Sequence, residues 1–273
     1  MTATPDGEKL LWVLQIASAN LDAGWTFLLI LTRFTGLFIV LPGLGGNRGA
    51  QARVPGLLMF AGVSMISSPY ASMPADWISA IGSLLMELLL GFGIGLLVTF
   101  TVVAVQTGVQ IAAGTMGLSA GNLVDPTTGG SMTQLAKLHG DVVILMFLLL
   151  GGHYTVIYAV AGLSGGIVPG SFIVGPLTID LLVDRSGNMF ELGTIVAGPV
   201  LVALLLTQFV MGLMTKAVPT VNIFIVSFPL TIGIGLILSV FALPEIVVVL
   251  ERVFADLDVE MGIMLSESVR QVQ

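Results

Sequence analysis

From Glu87 to Asp125 the chain reads ELLLGFGIGLLVTFTVVAVQTGVQIAAGTMGLSAGNLVD, with no Asp, Glu, Lys or Arg between the two terminal acids. A hydrocarbon core about 30 Å thick is crossed by roughly 20 apolar residues in a helix, and this interval is longer. Three more intervals, Asp141–Asp180, Glu191–Lys216 and Lys216–Glu245, are also free of charge and exceed that length. These runs are continuous rather than alternating. Lipid offers no partner to the backbone, so continuous apolar runs point to helices, whereas a membrane barrel alternates.

Composition agrees. Of 273 residues, 56% are hydrophobic and 9% charged, where a soluble domain carries about a quarter charged. Too few polar groups exist to coat a globule, and lipid or other protein must do so. The chain reads as an all-α integral membrane protein. It has no cysteine, which excludes disulfides and thiolate metal sites. The N-terminus MTATPDGEKLLW lacks a basic leading region, so no cleaved signal peptide is expected. A net charge of −7 argues against a nucleic-acid partner.

Six apolar segments are expected, at about 11–41, 54–70, 78–113, 138–162, 192–215 and 221–243. The first and third are too long for a perpendicular span and the second is short for one. A long Gly/Pro-rich loop is expected from Leu163 to Glu191. After Pro244, residues Ile246, Leu250, Val253, Leu257, Met261 and Met264 recur at helical steps and form one amphipathic stripe. Its polar face is acidic, which suits packing on a partner or capping the bundle rather than anionic lipid. The basic residues do not orient the chain. Six spans place Arg48, Arg53, Lys137 and Lys216 on one side and Lys9, Arg185, Arg252 and Arg270 on the other. Either the spans lie elsewhere or the chain is not oriented in the ordinary way by an ordinary bilayer, and the unusual segment lengths favour the second.

Ionisable residues at membrane depth are costly, and Arg33 and Glu87 are read as functional by default. The bland alternative is a structural pair, with each other or with polar groups of neighbouring chains. His139 and His153 lie fourteen residues apart, about four helical turns. They cannot share an ion without other ligands, and no metal site is expected. His153 is read as a hydrogen-bonded packing residue. In GFGIG, Gly91 and Gly95 form a small-xxx-small face that lets another helix approach. It is not a phosphate loop, which follows a strand. No Ser-His-Asp, Cys-His or paired-carboxylate arrangement supports catalysis.

Two stretches interrupt the apolar runs. In TKAVPTVNIFIVSFPL, Pro219 and Pro229 each remove a backbone donor, and Asn222 between them is able to satisfy a freed carbonyl. The bland reading is a tight helical hairpin with Lys216 at its mouth; the sharper one is a pore-lining break. MGLSAGNLVDPTTGGSM, Met116 to Met132, is either a plain aqueous loop or a non-helical segment inside a pore.

Taken in order, these residues resemble the FliR family of flagellar type III export-gate proteins, whose injectisome counterparts are the SctT-type proteins. Lys216, Pro219, Asn222, Phe224, Phe228 and Pro229 match the family pattern of basic residue, proline, asparagine, phenylalanine and Phe-Pro. Gly152-His153 resembles its Gly-His after a membrane helix, and tilts the likeness toward the flagellar branch. Met116-Gly117 and Asp125-Pro126 fall where the family has them, and Arg33, Pro42, Glu87, Gly91 and Pro169-Gly170 also fit. The family often has Gln-Met at Thr220-Val221, Gly at Ser227 and Lys at Thr231. The likeness runs roughly from Arg33 to Leu238.

What the resemblance implies is a subunit of a helical gate for unfolded flagellar proteins. Its partners would be FliP- and FliQ-type subunits with FlhB- and FlhA-type export proteins, in the bacterial inner membrane at the flagellar basal body. It implies a FliP-like part over 1–189 and a FliQ-like hairpin over 190–273 ending in the amphipathic helix. It also implies a plug loop at about 114–133, carried by Met116, Gly117, Gly121, Asp125, Pro126, Gly129, Gly130 and Met132. Glycine suits a segment that must fold into a lumen and move aside, and methionine repacks readily around a passing chain. Neither a cofactor nor a catalytic activity is implied. The competing readings are a small-solute transporter or channel with a re-entrant loop at 116–132, and a membrane enzyme. Transporters usually show internal repeats, and no clear repeat relates the two halves.

Overall fold

The structure, a computed structural model, describes residues 5–42, 50–119, 132–163, 167–217 and 223–272. Among them every regular element is helical: α1 Pro5–Val40, α2 Ala50–Ser67, α3 Trp77–Met116, α4 Gln134–Leu149, α5 Gly152–Ala161, α6 Pro176–Ala217, α7 Ile223–Ala255 and α8 Leu257–Val272. Each of the six apolar segments falls on helix. Among the described residues, four helices are long and apolar enough to cross a membrane, or five if α4 and α5 form one broken span; Val54–Ser67 is a shorter apolar helix. The 40 residues of α3 extend about 60 Å, twice a hydrocarbon core.

Several boundaries differ from expectation. Residues 176–191 are not loop but the first turns of α6. Pro176 stands at the first helical position, where its missing N–H costs nothing, and Thr178, Leu181, Leu182, Arg185, Ser186 and Met189 form a buried to half-buried stripe at helical spacing. The run from 138 to 162 is parted at Leu150-Gly151, where Gly151 has φ 76°, a conformation that suits glycine. Pro229 does not mark a break: α7 passes through both Pro229 and Pro244. A proline in a helix costs about 3 kcal/mol. Unwinding the helix in an apolar setting would strand several backbone groups at a comparable cost each, so the helix persists. The stripe after Pro244 is divided at Asp256 between α7 and α8 rather than carried on one helix. Ile246, Leu250, Leu257, Met261 and Met264 are all buried, while Val253 is half-buried.

The chain forms two compact units that interleave in sequence. The first comprises residues 1–98, 153–182 and 257–273, and the second 99–152 and 183–256. In the first, α1 packs on α2 through Phe60, whose ring lies 5.8 Å from Phe34 and 6.2 Å from Phe38. Leu29, Ile30, Phe34, Leu37, Leu90 and Ile94 make a closed core between α1 and the N-terminal half of α3. Lipid is as apolar as leucine, so such helices associate through van der Waals fit rather than escape from water. Fit here depends on missing side chains: a methyl group at Gly36 would overlap the Leu88 carbonyl, and one at Gly91 the Arg33 carbonyl.

In the second unit the C-terminal half of α3 packs with α4, α6 and α7. Ala112, Met116, Val200 and Leu204 are its buried centre, bordered by Leu135, Ile232 and Leu238. Phe147 of α4 meets Phe254 of α7 at 5.4 Å. Helices α6 and α7 run antiparallel, with Val200 and Leu204 beside Ile232 and Leu238, and Ile195 and Pro199 beside Ala242 and Val249. Farther along, Arg185, Asn188 and Val253 help line a cleft of about 240 Å³.

Candidate functional site

The structure brings Arg33 and Glu87 together. Arg33 Nε donates to Glu87 Oε2 at 2.5 Å and Nη2 to Oε1 at 3.0 Å, a two-point fork. The pair joins α1 to α3 and is closed off from solvent, at 1% and 0% exposure. Two charges are tolerated there because further groups complete their shells. Arg33 Nη1 donates to the Val160 carbonyl at 3.1 Å, near the end of α5. Glu87 Oε1 also accepts the Gly170 backbone N–H at 2.6 Å. Gly170 has φ +87°, and a side chain there would press on Leu29. The pair therefore ties four chain segments into one knot: α1, α3, the end of α5 and the 167–175 connection.

Gly91 lies against the Arg33 backbone, one turn from Glu87, and Gly95 faces Leu37 and Val40 of α1. These glycines let α1 come close enough for the ion pair to form. His153 opens α5 with its ring 4.0 Å from that of Tyr154. Its Nδ1 is buried and has no hydrogen-bond partner among the described residues.

The segment read as a plug opens on helix. Gly114, Thr115 and Met116 are the last residues of α3, and Met116 is wholly buried. The helix ends in a Schellman motif: Gly117, at φ +89°, donates to Gly114 O at 3.1 Å and Leu118 to Ala113 O at 3.1 Å. The ring of Phe228 covers Gly117, and the Met116 side chain occupies the space beside Gly235. Gln208 Nε2 donates to Thr115 O at 3.1 Å, and Thr231 Oγ1 lies 3.1 Å from Met116 O. The chain returns at Met132, which is half-buried, and Thr133, which caps α4 by accepting from Ala136 N at 3.3 Å. Gln110 Oε1 on α3 accepts both the N–H and the hydroxyl of Thr133, at 2.8 and 2.9 Å. Both ends of the intervening stretch are thus held to the last two turns of α3. Gly121, Asp125, Pro126, Gly129 and Gly130 lie outside the described residues.

Of the hairpin residues, Lys216 is exposed in the last turn of α6. Phe224 lies in the first turn of α7, and Phe228 and Pro229 are exposed on the next. Pro219 and Asn222 lie outside the described residues. Sequence reasoning missed Gln110, Gln208, Thr231 and Glu267, each a polar residue in or beside an apolar run, where a polar group needs a partner. Glu267 is buried in α8 and accepts the Leu177 N–H, the Thr178 N–H and the Thr178 hydroxyl, each at 2.8 Å. A carboxylate on the positive end of α6 suits the helix dipole.

Residues 25–257 match the family model described as "Bacterial export proteins, family 1". The chain is 27% identical to Flagellar biosynthetic protein FliR of Escherichia coli (strain K12), over 70% of this chain and 73% of that one. It is 26% identical to the FliR of Bacillus subtilis (strain 168), over 84% and 90%. It is also 23% identical to Yop proteins translocation protein T of Yersinia pestis, over 79% and 84%. The charged knot and the held end of α3 lie within the matched residues, and the chain belongs to the family 1 bacterial export proteins.

Proposed function

We propose that this protein is a FliR-type subunit of the flagellar type III export gate, assembling with FliP- and FliQ-type subunits into the channel that unfolded flagellar proteins traverse. The observation that carries this reading is the family match over residues 25–257, joined by relatives named FliR from distant bacteria. Residues 1–189 act as the FliP-like part and 190–273 as the FliQ-like hairpin with its terminal helix. FlhB- and FlhA-type proteins are its further partners, and it works in the bacterial inner membrane at the basal body. Its role is conduction rather than chemistry.

Two features support the reading. The contour of α3 is about twice the hydrocarbon thickness, which suits a protein covered partly by other subunits. Of the best apolar windows, 61% is buried for α3 but only 28% for α6 and 17% for the span starting at Ile225. The C-terminal helices thus keep much surface for partners. The glycine-rich stretch from about 114 to 133, with Gly117 and Thr133 held in place, acts as the plug.

Co-purification tests the proposal. Solubilised in detergent, the chain should associate with FliP- and FliQ-type subunits from the same cell. A chain that stays alone under conditions where those partners assemble with each other would sink it, and would favour the solute-channel reading.

A further inference from the structure

The connection between α2 and α3, Ser68 to Asp76, is held against α1 at two points. Ala71 N donates to Thr26 Oγ1 at 2.8 Å and Met73 N to Asp22 Oδ1 at 3.0 Å. From that level both flanking helices extend the same way along α1. Phe60 of α2 meets Phe34 and Phe38, while Gly91 and Gly95 of α3 lie against Arg33 and Leu37. The connection therefore caps one end of the α2–α3 pair.

Its outer side is aromatic. Tyr70 and Trp77, one near each end, are 62% and 70% exposed. Each joins an apolar ring to a polar O–H or N–H, the kind of side chain that settles where hydrocarbon meets headgroups. Polarity then falls along both helices. Ile78, Ile81, Leu85 and Leu89 are exposed on α3 at three- and four-residue steps, and Met59, Val63 and Ile66 are exposed on α2. No charged residue other than Asp76 lies between Arg53 and Glu87. The two ionisable residues of the core keep one level as well. Asp22 precedes Arg33, and Asp76 precedes Glu87, by eleven residues each. That is about 16 Å of helix, about half of a hydrocarbon core.

We propose that the Tyr70–Trp77 edge lies in the headgroup layer of a zwitterionic phospholipid bilayer, with the exposed α2 and α3 faces against acyl chains and the Arg33–Glu87 pair near the midplane. Headgroups and their water serve the exposed Asp76 carboxylate and both ring tips, whereas a subunit seated there would need a fitted partner for each. The connection has no Lys or Arg, so it does not select anionic lipid. The inference rests on the membrane character of the chain and stands apart from the gate reading. It supplies the level in the bilayer that the basic residues do not give.

The chain has no cysteine, so a nitroxide label on one introduced thiol reports one position. Met73→Cys places it on the connection and Leu85→Cys on α3, both at exposed side chains. In the full chain reconstituted into phosphatidylcholine bilayers, the ratio of oxygen to nickel-chelate collisions should be about tenfold higher at Leu85, which lies about 12 Å of helix beyond Trp77. The contrast should persist in the complex with co-purifying subunits freed of their own cysteines. Equal ratios at the two sites, or free access of the nickel chelate to Leu85, overturn the proposal. So does a Leu85 label that neither reagent reaches in the complex, which assigns the face to a partner subunit. If Leu85→Cys does not accumulate, Leu89→Cys is read by the same ratio and the same criterion. A chain that gains no partners sinks the gate reading alone, and the measurement in bilayers still decides the level.

Discussion

Glu267 and Thr178, 89 residues apart, meet in a double contact: one carboxylate oxygen accepts both the backbone N–H and the hydroxyl of Thr178 at 2.8 Å. The other oxygen takes Leu177 N–H, so one acid of α8 closes the first turn of α6. Gly175 has no side chain because the Glu267 carboxyl fills that space. Hydrogen bonds to a charged group contribute about 1.5–3 kcal/mol each. Glu267→Ala should therefore release α8, and hydrogen exchange over 257–272 should accelerate at least tenfold. Gly175→Ala should do the same by displacement. Unchanged exchange in both variants would show that α8 is held by Leu257, Met261 and Met264 alone.

Arg33 and Glu87 predict non-additive stability. Removing one partner strands a buried charge at about 3–5 kcal/mol, whereas replacing both with apolar groups of similar size is often nearly neutral. Arg33→Met and Glu87→Leu should each lower the yield and thermal stability of the solubilised complex, and the double variant should recover much of the loss. Additive losses would contradict a mainly structural pair. A fully assembled single variant that no longer exports would assign the pair a direct part in transport.

The crossing of α1 and α3 predicts which glycines tolerate a methyl group. At Gly91 it meets the Arg33 carbonyl, while at Gly82 nothing lies within 4 Å. Overpacking costs about 1–3 kcal/mol, whereas Gly to Ala inside a helix gains about 0.5–1 kcal/mol. Gly91→Ala should destabilise and Gly82→Ala should be neutral or stabilising, read as melting temperatures in detergent. Equal shifts would refute close helix contact as the reason for Gly91.

Residues 121–130 can be removed while the Schellman turn at Gly117 and the Thr133 cap stay in place. On the proposed gate function, that deletion should increase dye or ion leak through the assembled complex without lowering its yield. Removing Gly117 as well should lower yield, because Phe228 packs on it. A deleted gate as tight as the parent would rule out a plug.

Much of this molecule was legible in its residues because burial in lipid follows from composition over a length, and both are local. Apolar runs predicted helices, and each of the six segments fell on helix. Family likeness was readable in the order of Pro219, Asn222, Phe228 and the Gly-His pair. The amphipathic stripe from Ile246 to Met264 was visible through its period, but its division at Asp256 was not, since nothing in the pattern interrupts there.

What the sequence by itself determined is an all-helical membrane chain with two ionisable residues placed where charge is costly. What only tertiary structure decided is which partner each polar group finds. From sequence, Arg33 had Glu87 or the polar groups of neighbouring chains as candidate partners; the crossing of α1 and α3 at Gly36 and Gly91 brings Glu87 within 2.5 Å. Gln208, Thr231 and Glu267 read as ordinary polar residues, because hydrogen bonds between helices depend on three-dimensional register. Pro229 looked like a break for the same reason. Local propensity disfavours a helix there, and the cost of stranding backbone groups in an apolar setting makes continuing it less costly than stopping.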